Sequence, residues 1–64
     1  MKIKYDKKVD VLNIQLNENK IVESDEKTSG IILDFDSEGK VVEIEILDFS
    51  KRTPSPAKVE YELA

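Results

Sequence analysis

Residues 30–47 constrain the fold more than any other part of this chain. They read G-IILDFD-SEGK-VVEIEIL, so two arms of alternating, mostly β-branched residues flank a short polar turn that contains Gly39. Apolar residues at every second position indicate strands, and a glycine-containing turn between two such runs indicates a β-hairpin. The segment therefore predicts that the molecule is mainly β.

Two registers are open to this hairpin. The turn at 36–39 suits a type I turn with a glycine bulge, which makes a three-residue loop and pairs Phe35 with Val41. That register places two glutamates on the apolar side of the arm, where burying charges without partners is costly. An even loop pairs Phe35 with Val42 and keeps apolar residues opposite one another, so we favour it. The predicted core is Ile31, Leu33, Phe35, Val42, Ile44 and Ile46, and the other face carries an acidic strip of Asp34, Asp36, Glu43 and Glu45.

Further strand patterns cover residues 2–5, 11–16, more weakly 21–26, and 58–63. Placing Tyr5 opposite Leu12 also brings other apolar residues of the first two strands opposite each other, which favours a first hairpin. For 58–63 a strand is favoured over a short helix with Ser55 as N-cap and Pro56 at its first position. The predicted fold is one small antiparallel sheet of five to six strands, built from consecutive hairpins, with at most one short helical turn.

The length of the chain predicts a single domain over residues 1–64, with a Pro-rich break at 53–57 before the terminal segment. A domain of this size buries only about 60 % of its unfolded surface and is marginal as a lone monomer. The sequence has no cysteine that could form a disulfide. We therefore expect a homo-oligomer or a complex with a small protein partner.

The charge of the chain excludes some classes of partner. The formal net charge is −4, whereas a nucleic-acid backbone requires a basic surface. No apolar run approaches the ~20 residues of a membrane helix, and no signal-peptide core follows the basic start. We expect no nucleic-acid or membrane binding and a cytoplasmic protein.

The hairpin turn contains one pattern typical of cation sites. Asp34, Asp36, Glu38, Gly39 and Glu45 fall at positions 1, 3, 5, 6 and 12 of an EF-hand calcium loop. An EF-hand loop joins two helices, whereas both flanks here are strands. We interpret the pattern as an ordinary acidic hairpin turn and predict no metal site, with Asp34, Asp36, Glu38 and Glu45 as weak candidates.

Residues suited to catalysis are scarce. The chain has no histidine or cysteine, so Ser-His and Cys-His pairs cannot form within it. Asp6 and Asp10 could act as an acid–base pair only in a cleft, and we interpret them as turn or capping residues. Ser50 and Lys51 are a formal Ser-Lys pair on an exit turn. We predict a non-enzymatic protein with no catalytic residue and no cofactor.

Two stretches resemble a known family. The opening MKIKYDKKVDVLNIQL and the middle GIILDFDSEGKVVEIEILDFSKR are similar to the domain-of-unknown-function family 2283, made of small prokaryotic proteins. The resemblance covers residues 1–52 and implies a small, mainly β domain without an assigned activity. For some members it also implies an antitoxin-like binding role. Asn13 departs from the family, which often has an aromatic residue there.

Three functions follow as hypotheses. The first is a protein-interaction or self-associating module, which the size and the exposed edges of a small sheet favour. The alternative is weak binding of a metal or small ligand at the acidic hairpin. The third is an enzyme whose site is shared between subunits of an oligomer.

Overall fold

The computed structural model describes residues 1–56 and 58–64. The chain forms five strands and one 3-10 turn: β1 (Lys2–Asp6), β2 (Val11–Gln15), β3 (Glu23–Thr28), β4 (Ile31–Phe35), β5 (Val41–Leu47) and the turn Phe49–Lys51. The strands form one antiparallel sheet in the order β1-β2-β5-β4-β3. The prediction of a mainly β chain with one short helical turn is confirmed.

The sheet is not a simple succession of hairpins. Hairpins join β1 to β2, β3 to β4 and β4 to β5, but β2 pairs with β5 instead of β3. The expected β2–β3 hairpin is therefore wrong. Leu12 of β2 lies opposite Ile46 and Ile14 lies opposite Ile44, so β5 supplies apolar partners. The sequence of β3, ESDEKT, supplies none, and every residue of β3 is exposed at the sheet edge.

The tip of the β4–β5 hairpin follows its turn chemistry. The Gly39 N–H donates to the Asp36 carbonyl at 3.0 Å, and Gly39 has φ 79°, as a glycine bulge requires. Phe35 lies opposite Val41. The predicted pairing of Phe35 with Val42 is therefore wrong, because the glycine bulge sets the register at the tip.

The body of the same hairpin follows the even register. A register shift between Asp34 and Phe35 returns the ladder to the pairing of Leu33 with Ile44, which the alternation of apolar residues predicts. The glutamates of β5 thereby leave the apolar side. The glycine bulge at Gly39 allows the tight turn, and the register shift beside Phe35 keeps the apolar side chains on one face.

The register gives the sheet two chemically different faces. The members of the first, which we call the apolar face, are Ile3, Tyr5, Leu12, Ile14, Ile31, Leu33, Phe35, Val42, Ile44 and Ile46. Leu12 and Val42 are 6 % and 2 % exposed, whereas Ile3 is 41 % exposed and the others are half-buried. At one corner the Phe49 ring packs against Tyr5, with the ring centroids 5.6 Å apart. The six residues predicted as core all belong to this face, but the sheet buries it only in part.

After Arg52 the described residues, 53–56 and 58–64, contain no strand or helix. The favoured strand at 58–63 is not formed, and neither is the alternative helix. A strand requires a neighbour for its backbone hydrogen bonds, and the sheet pairs no strand with this segment. Ala57, the last residue of the predicted Pro-rich break, lies outside the described residues. In the described part of the chain no helix is long and apolar enough to cross a membrane.

Candidate functional site: an acidic cluster on the polar face

The second face of the sheet, which we call the polar face, is basic at one edge and acidic towards the other. Two rows of side chains cross this face from β1 to β3. The first row consists of Lys4, Asn13, Glu45, Ile32 and Glu26, and the second consists of Lys2, Gln15, Glu43, Asp34 and Ser24. Strand alternation places these side chains on one side because the period of a strand is two residues. The carboxylates of the two central strands therefore meet near the middle of the face.

Asp34, Glu43 and Glu45 form the acidic cluster. Asp34 lies directly opposite Glu43 in the β4–β5 ladder, and Glu45 follows two residues later on the same face of β5. One carboxylate oxygen from each residue lies within 4.8 Å of the others. Asp34 is 1 % exposed, and the two glutamates are half-buried. The sheet thus brings three carboxyl groups close together on its polar face.

Neighbouring strands position two members of the acidic cluster. The Ser24 hydroxyl donates to Asp34 Oδ1 at 2.5 Å, and the Asn13 amide donates to Glu43 Oε1 at 3.1 Å. Asp34 Oδ2 is buried and accepts no hydrogen bond from the described residues. The most buried carboxylate of the cluster therefore has one satisfied and one unsatisfied oxygen.

The crowding of acidic groups changes the protonation of Glu45. A hydrogen bond with Asp34, burial, and the negative charges of Asp34 and Glu43 raise the pKa of Glu45 to about 7. Two ionised carboxylates have no proton to share, whereas a protonated Glu45 can donate to Asp34 Oδ2. The neighbouring carboxylates and burial therefore favour the protonated form of Glu45.

The structure divides the four weak metal candidates. Asp34 and Glu45 come together, and Glu43 joins them. Glu38 is exposed in the turn. The EF-hand spacing misses Glu43, because the ladder and not the loop brings these residues together. The signal that finds Glu43 is strand alternation, which placed it in the predicted acidic strip.

Asp36 does not belong to the acidic cluster, although alternation predicted it in the strip. It accepts hydrogen bonds from the Glu38 and Lys40 N–H groups at 2.9 Å and from the Asn19 amide at 3.2 Å. Hydrogen bonds, led by that from the Lys40 N–H, lower its pKa. Asp36 is 6 % exposed and closes the turn. The predicted strip is therefore wrong for Asp36 and right for the other three residues.

A shallow pocket of about 200 Å³ adjoins the acidic cluster on the β1 side. It is lined by Lys2, Lys4, Asn13, Gln15 and Glu43. Both lysines are exposed, and the pocket is open to solvent. The polar face thus carries opposite charges side by side, with Asn13 between them.

The two other aspartates considered for catalysis have structural roles. Asp6 accepts the Lys8 N–H at 3.0 Å, which closes the β1–β2 turn. Asp10, at φ 57°, accepts the Tyr5 hydroxyl at 2.7 Å and both the N–H and the hydroxyl of Ser50, at 2.9 and 2.6 Å. The hydrogen bonds from Ser50 and Tyr5 lower the pKa of Asp10. Asp10 therefore fastens the 3-10 turn to the first hairpin, as a capping residue does.

One family model matches the chain over residues 2–50, and its description is a protein of unknown function, DUF2283. The match spans all five strands and the start of the 3-10 turn. No curated protein and no solved structure matches the chain.

Proposed function

We propose that this chain, which belongs to the DUF2283 family, is a non-enzymatic module that associates with a second copy of itself. The apolar face is the proposed contact surface. The observation that supports this proposal is the incomplete burial of that face in a sheet of a single layer. Stable domains bury the apolar side of a sheet against a second layer.

The composition of the apolar face suits a second sheet. Its members come from β1, β2, β4 and β5 and are aliphatic or aromatic, whereas Asp34, Glu43 and Glu45 project from the opposite face. Stacking two apolar faces would therefore bury none of the three carboxylates of the acidic cluster. Two sheets that pack in this way form a β-sandwich, with the sheets about 10 Å apart.

The area of the face fits a modest dimer. Its four strands, about 4.8 Å apart and each about 20 Å long, give a projected area of roughly 380 Å² per copy. Two copies would remove about 800 Å² or more from water, because a corrugated surface exceeds its projection. Stable interfaces bury about 1,200 Å² or more. We therefore expect a dimer that dissociates on dilution.

The side chains of the site support a non-enzymatic role. The chain has no histidine or cysteine. The Ser50 hydroxyl donates to Asp10 and so does not form the nucleophile–base pair with Lys51 that catalysis would need. The apolar face, and not a cleft, is the main feature that the fold leaves unexplained.

Analytical ultracentrifugation over a roughly hundredfold range of concentration tests the proposal. The wild-type chain is expected to move from monomer to dimer as its concentration rises. Ile44→Glu, at the centre of the apolar face, and Ile3→Glu, on its 41 % exposed margin, are expected to shift the equilibrium to monomer. If Ile44→Glu prevents folding, Ile3→Glu still tests the proposal.

Val9→Glu is the matched control, because Val9 is 63 % exposed in the β1–β2 turn, outside the apolar face. It is expected to leave dimerisation unchanged. A wild-type chain that remains monomeric at the highest concentration overturns the proposal and favours a different small protein as the partner, as an antitoxin-like role would require. Equal effects of Val9→Glu and Ile3→Glu would also contradict it.

A further inference from the structure

We propose that the acidic cluster is a weak calcium site, with one oxygen each from Asp34, Glu43 and Glu45 as the protein ligands. This site lies on the polar face, so it is independent of association through the apolar face. The three oxygens lie within 4.8 Å of one another. Oxygens on opposite sides of a calcium ion are separated by about twice the 2.3–2.6 Å bond length, or ~4.6–5.2 Å. The existing spacing therefore fits a calcium coordination sphere.

The environment of Asp34 independently indicates a missing ligand. The residue is 1 % exposed, and its Oδ1 is held by the Ser24 hydroxyl. While Glu45 is ionised, the buried Oδ2 of Asp34 accepts no hydrogen bond in the part of the chain that the structure describes. A buried carboxylate oxygen without a partner is costly. A cation bound between the three carboxylates would satisfy this oxygen and offset their mutual repulsion.

The sheet holds the ligands on rigid elements. Asp34 comes from β4 and both glutamates come from β5, and the Asn13 amide orients Glu43. Carboxylate oxygens suit hard cations, whereas zinc sites commonly use cysteine and histidine, which the chain lacks. Three protein ligands leave several positions to water, so we expect a dissociation constant of about 10⁻⁴ to 10⁻³ M.

Calorimetric titration and thermal unfolding of the chelator-treated chain test the site. Calcium chloride is titrated to roughly ten times the expected dissociation constant, with magnesium chloride at equal ionic strength as the comparison. Saturable heat and a saturable rise in Tm are expected with calcium. A smaller response is expected with magnesium, which requires shorter bonds and a more regular octahedron.

Single substitutions assign the response to the acidic cluster. Glu45→Gln and Glu43→Gln are expected to abolish the rise in Tm, and Asp34→Asn is expected to do the same if it folds. Glu38→Gln is the matched control, because it makes the same change of charge in the same hairpin at an exposed residue outside the cluster. It is expected to retain the full response.

Backbone amide chemical shifts of the wild-type chain give a second readout that needs no variant. Calcium is expected to move the resonances of Ser24, Asp34, Glu43 and Glu45 most. The proposal is overturned by the absence of a saturable response, by equal losses in Glu38→Gln and Glu45→Gln, or by shifts centred on the turn at 36–40.

Discussion

Asp34 and Asp36 lie two residues apart in one hairpin, yet their surroundings are opposite. Backbone N–H groups of the turn hydrogen-bond Asp36, whereas Asp34 faces two glutamates. Alternation alone assigns both residues to one face. The exception at Asp36 has a sequence signal, because aspartate at the first position of a type I turn commonly accepts N–H groups further along the turn. The contact between Asp34 and Glu45 requires the even register, which apolar alternation predicts and which the register shift beside Phe35 restores in the body of the hairpin.

We predict that Glu45→Gln stabilises the chelator-treated protein above neutral pH. The pKa of Glu45 is raised from 4.5 to about 7 in the folded chain, so the folded state binds the proton more tightly than the unfolded state. The stability due to this proton is therefore fully present below about pH 4.5 and is lost as the pH rises through 7. The introduced amide keeps a donor near Asp34 Oδ2 at every pH.

Chemical denaturation between pH 5 and pH 8.5 measures this effect. At the upper pH, the free energy of unfolding of the variant is expected to exceed that of the wild type by about 1 kcal/mol. This figure allows for solvent screening of a partly exposed group. The difference should shrink towards pH 5. Glu38→Gln is the control and should show no such trend. A pH-independent difference between Glu45→Gln and wild type would contradict the shared proton.

At the level of elements, apolar alternation predicts which residues share a face and two of the hairpins, but it fails to predict that β2 pairs with β5. The first hairpin has the predicted pairs, Tyr5 with Leu12 and Ile3 with Ile14. The predicted succession of hairpins would place β3 beside β2, but the segment between them crosses to the far edge of the sheet. The strand order is set by the pairing of β2 with β5, a long-range contact that local sequence does not encode. The β4–β5 register shows the same limit, because both predicted registers occur, one at the tip and one in the body.

The two glycines lie in different turns, Gly30 between β3 and β4 and Gly39 between β4 and β5. Gly39 has φ 79°, and an added Cβ would meet nothing within 4 Å. Gly30 has φ 80°, but an added Cβ would clash with Arg52 Nη2. That guanidinium donates to the carbonyls of Leu47 and Ser29 at 2.8 and 3.0 Å, and so connects the end of β5 to the β3–β4 turn. Gly39→Ala therefore strains only the backbone, whereas Gly30→Ala also displaces Arg52.

We predict a loss of about 1 kcal/mol in the free energy of unfolding for Gly39→Ala and about 2–3 kcal/mol for Gly30→Ala. Urea denaturation measures both. In an Arg52→Ala background the cost of Gly30→Ala should fall to that of Gly39→Ala, because only the backbone strain remains. Equal costs for the two glycines in the wild-type background would show that Arg52 moves aside freely.

For the whole molecule, the question is what completes a sheet of one layer. The terminal segment is one candidate, because Val59, Tyr61 and Leu63 alternate as in a strand. These residues are 57 %, 75 % and 83 % exposed. The polar contacts described for this segment are local: Ser55 with Thr53, Lys58 with Ser55, and Lys58 with Glu60. The contacts described for residues 58–64 thus give the sheet no support, which leaves a second copy as the proposed cover.

Deleting residues 58–64, which are all exposed, is therefore expected to preserve both the sheet and its association. The free energy of unfolding should change by less than about 0.5 kcal/mol, as for surface changes without lost contacts. The far-UV circular dichroism and the concentration at the midpoint of dimerisation should match those of the full chain.

Deletion from residue 49 onward is the contrasting variant. It removes the Ser50 hydrogen bonds to Asp10 and the Arg52 bonds to Leu47 and Ser29, and a clear loss of stability is expected. If the shorter deletion unfolds the sheet or abolishes the dimer, the terminal segment itself covers the apolar face in solution.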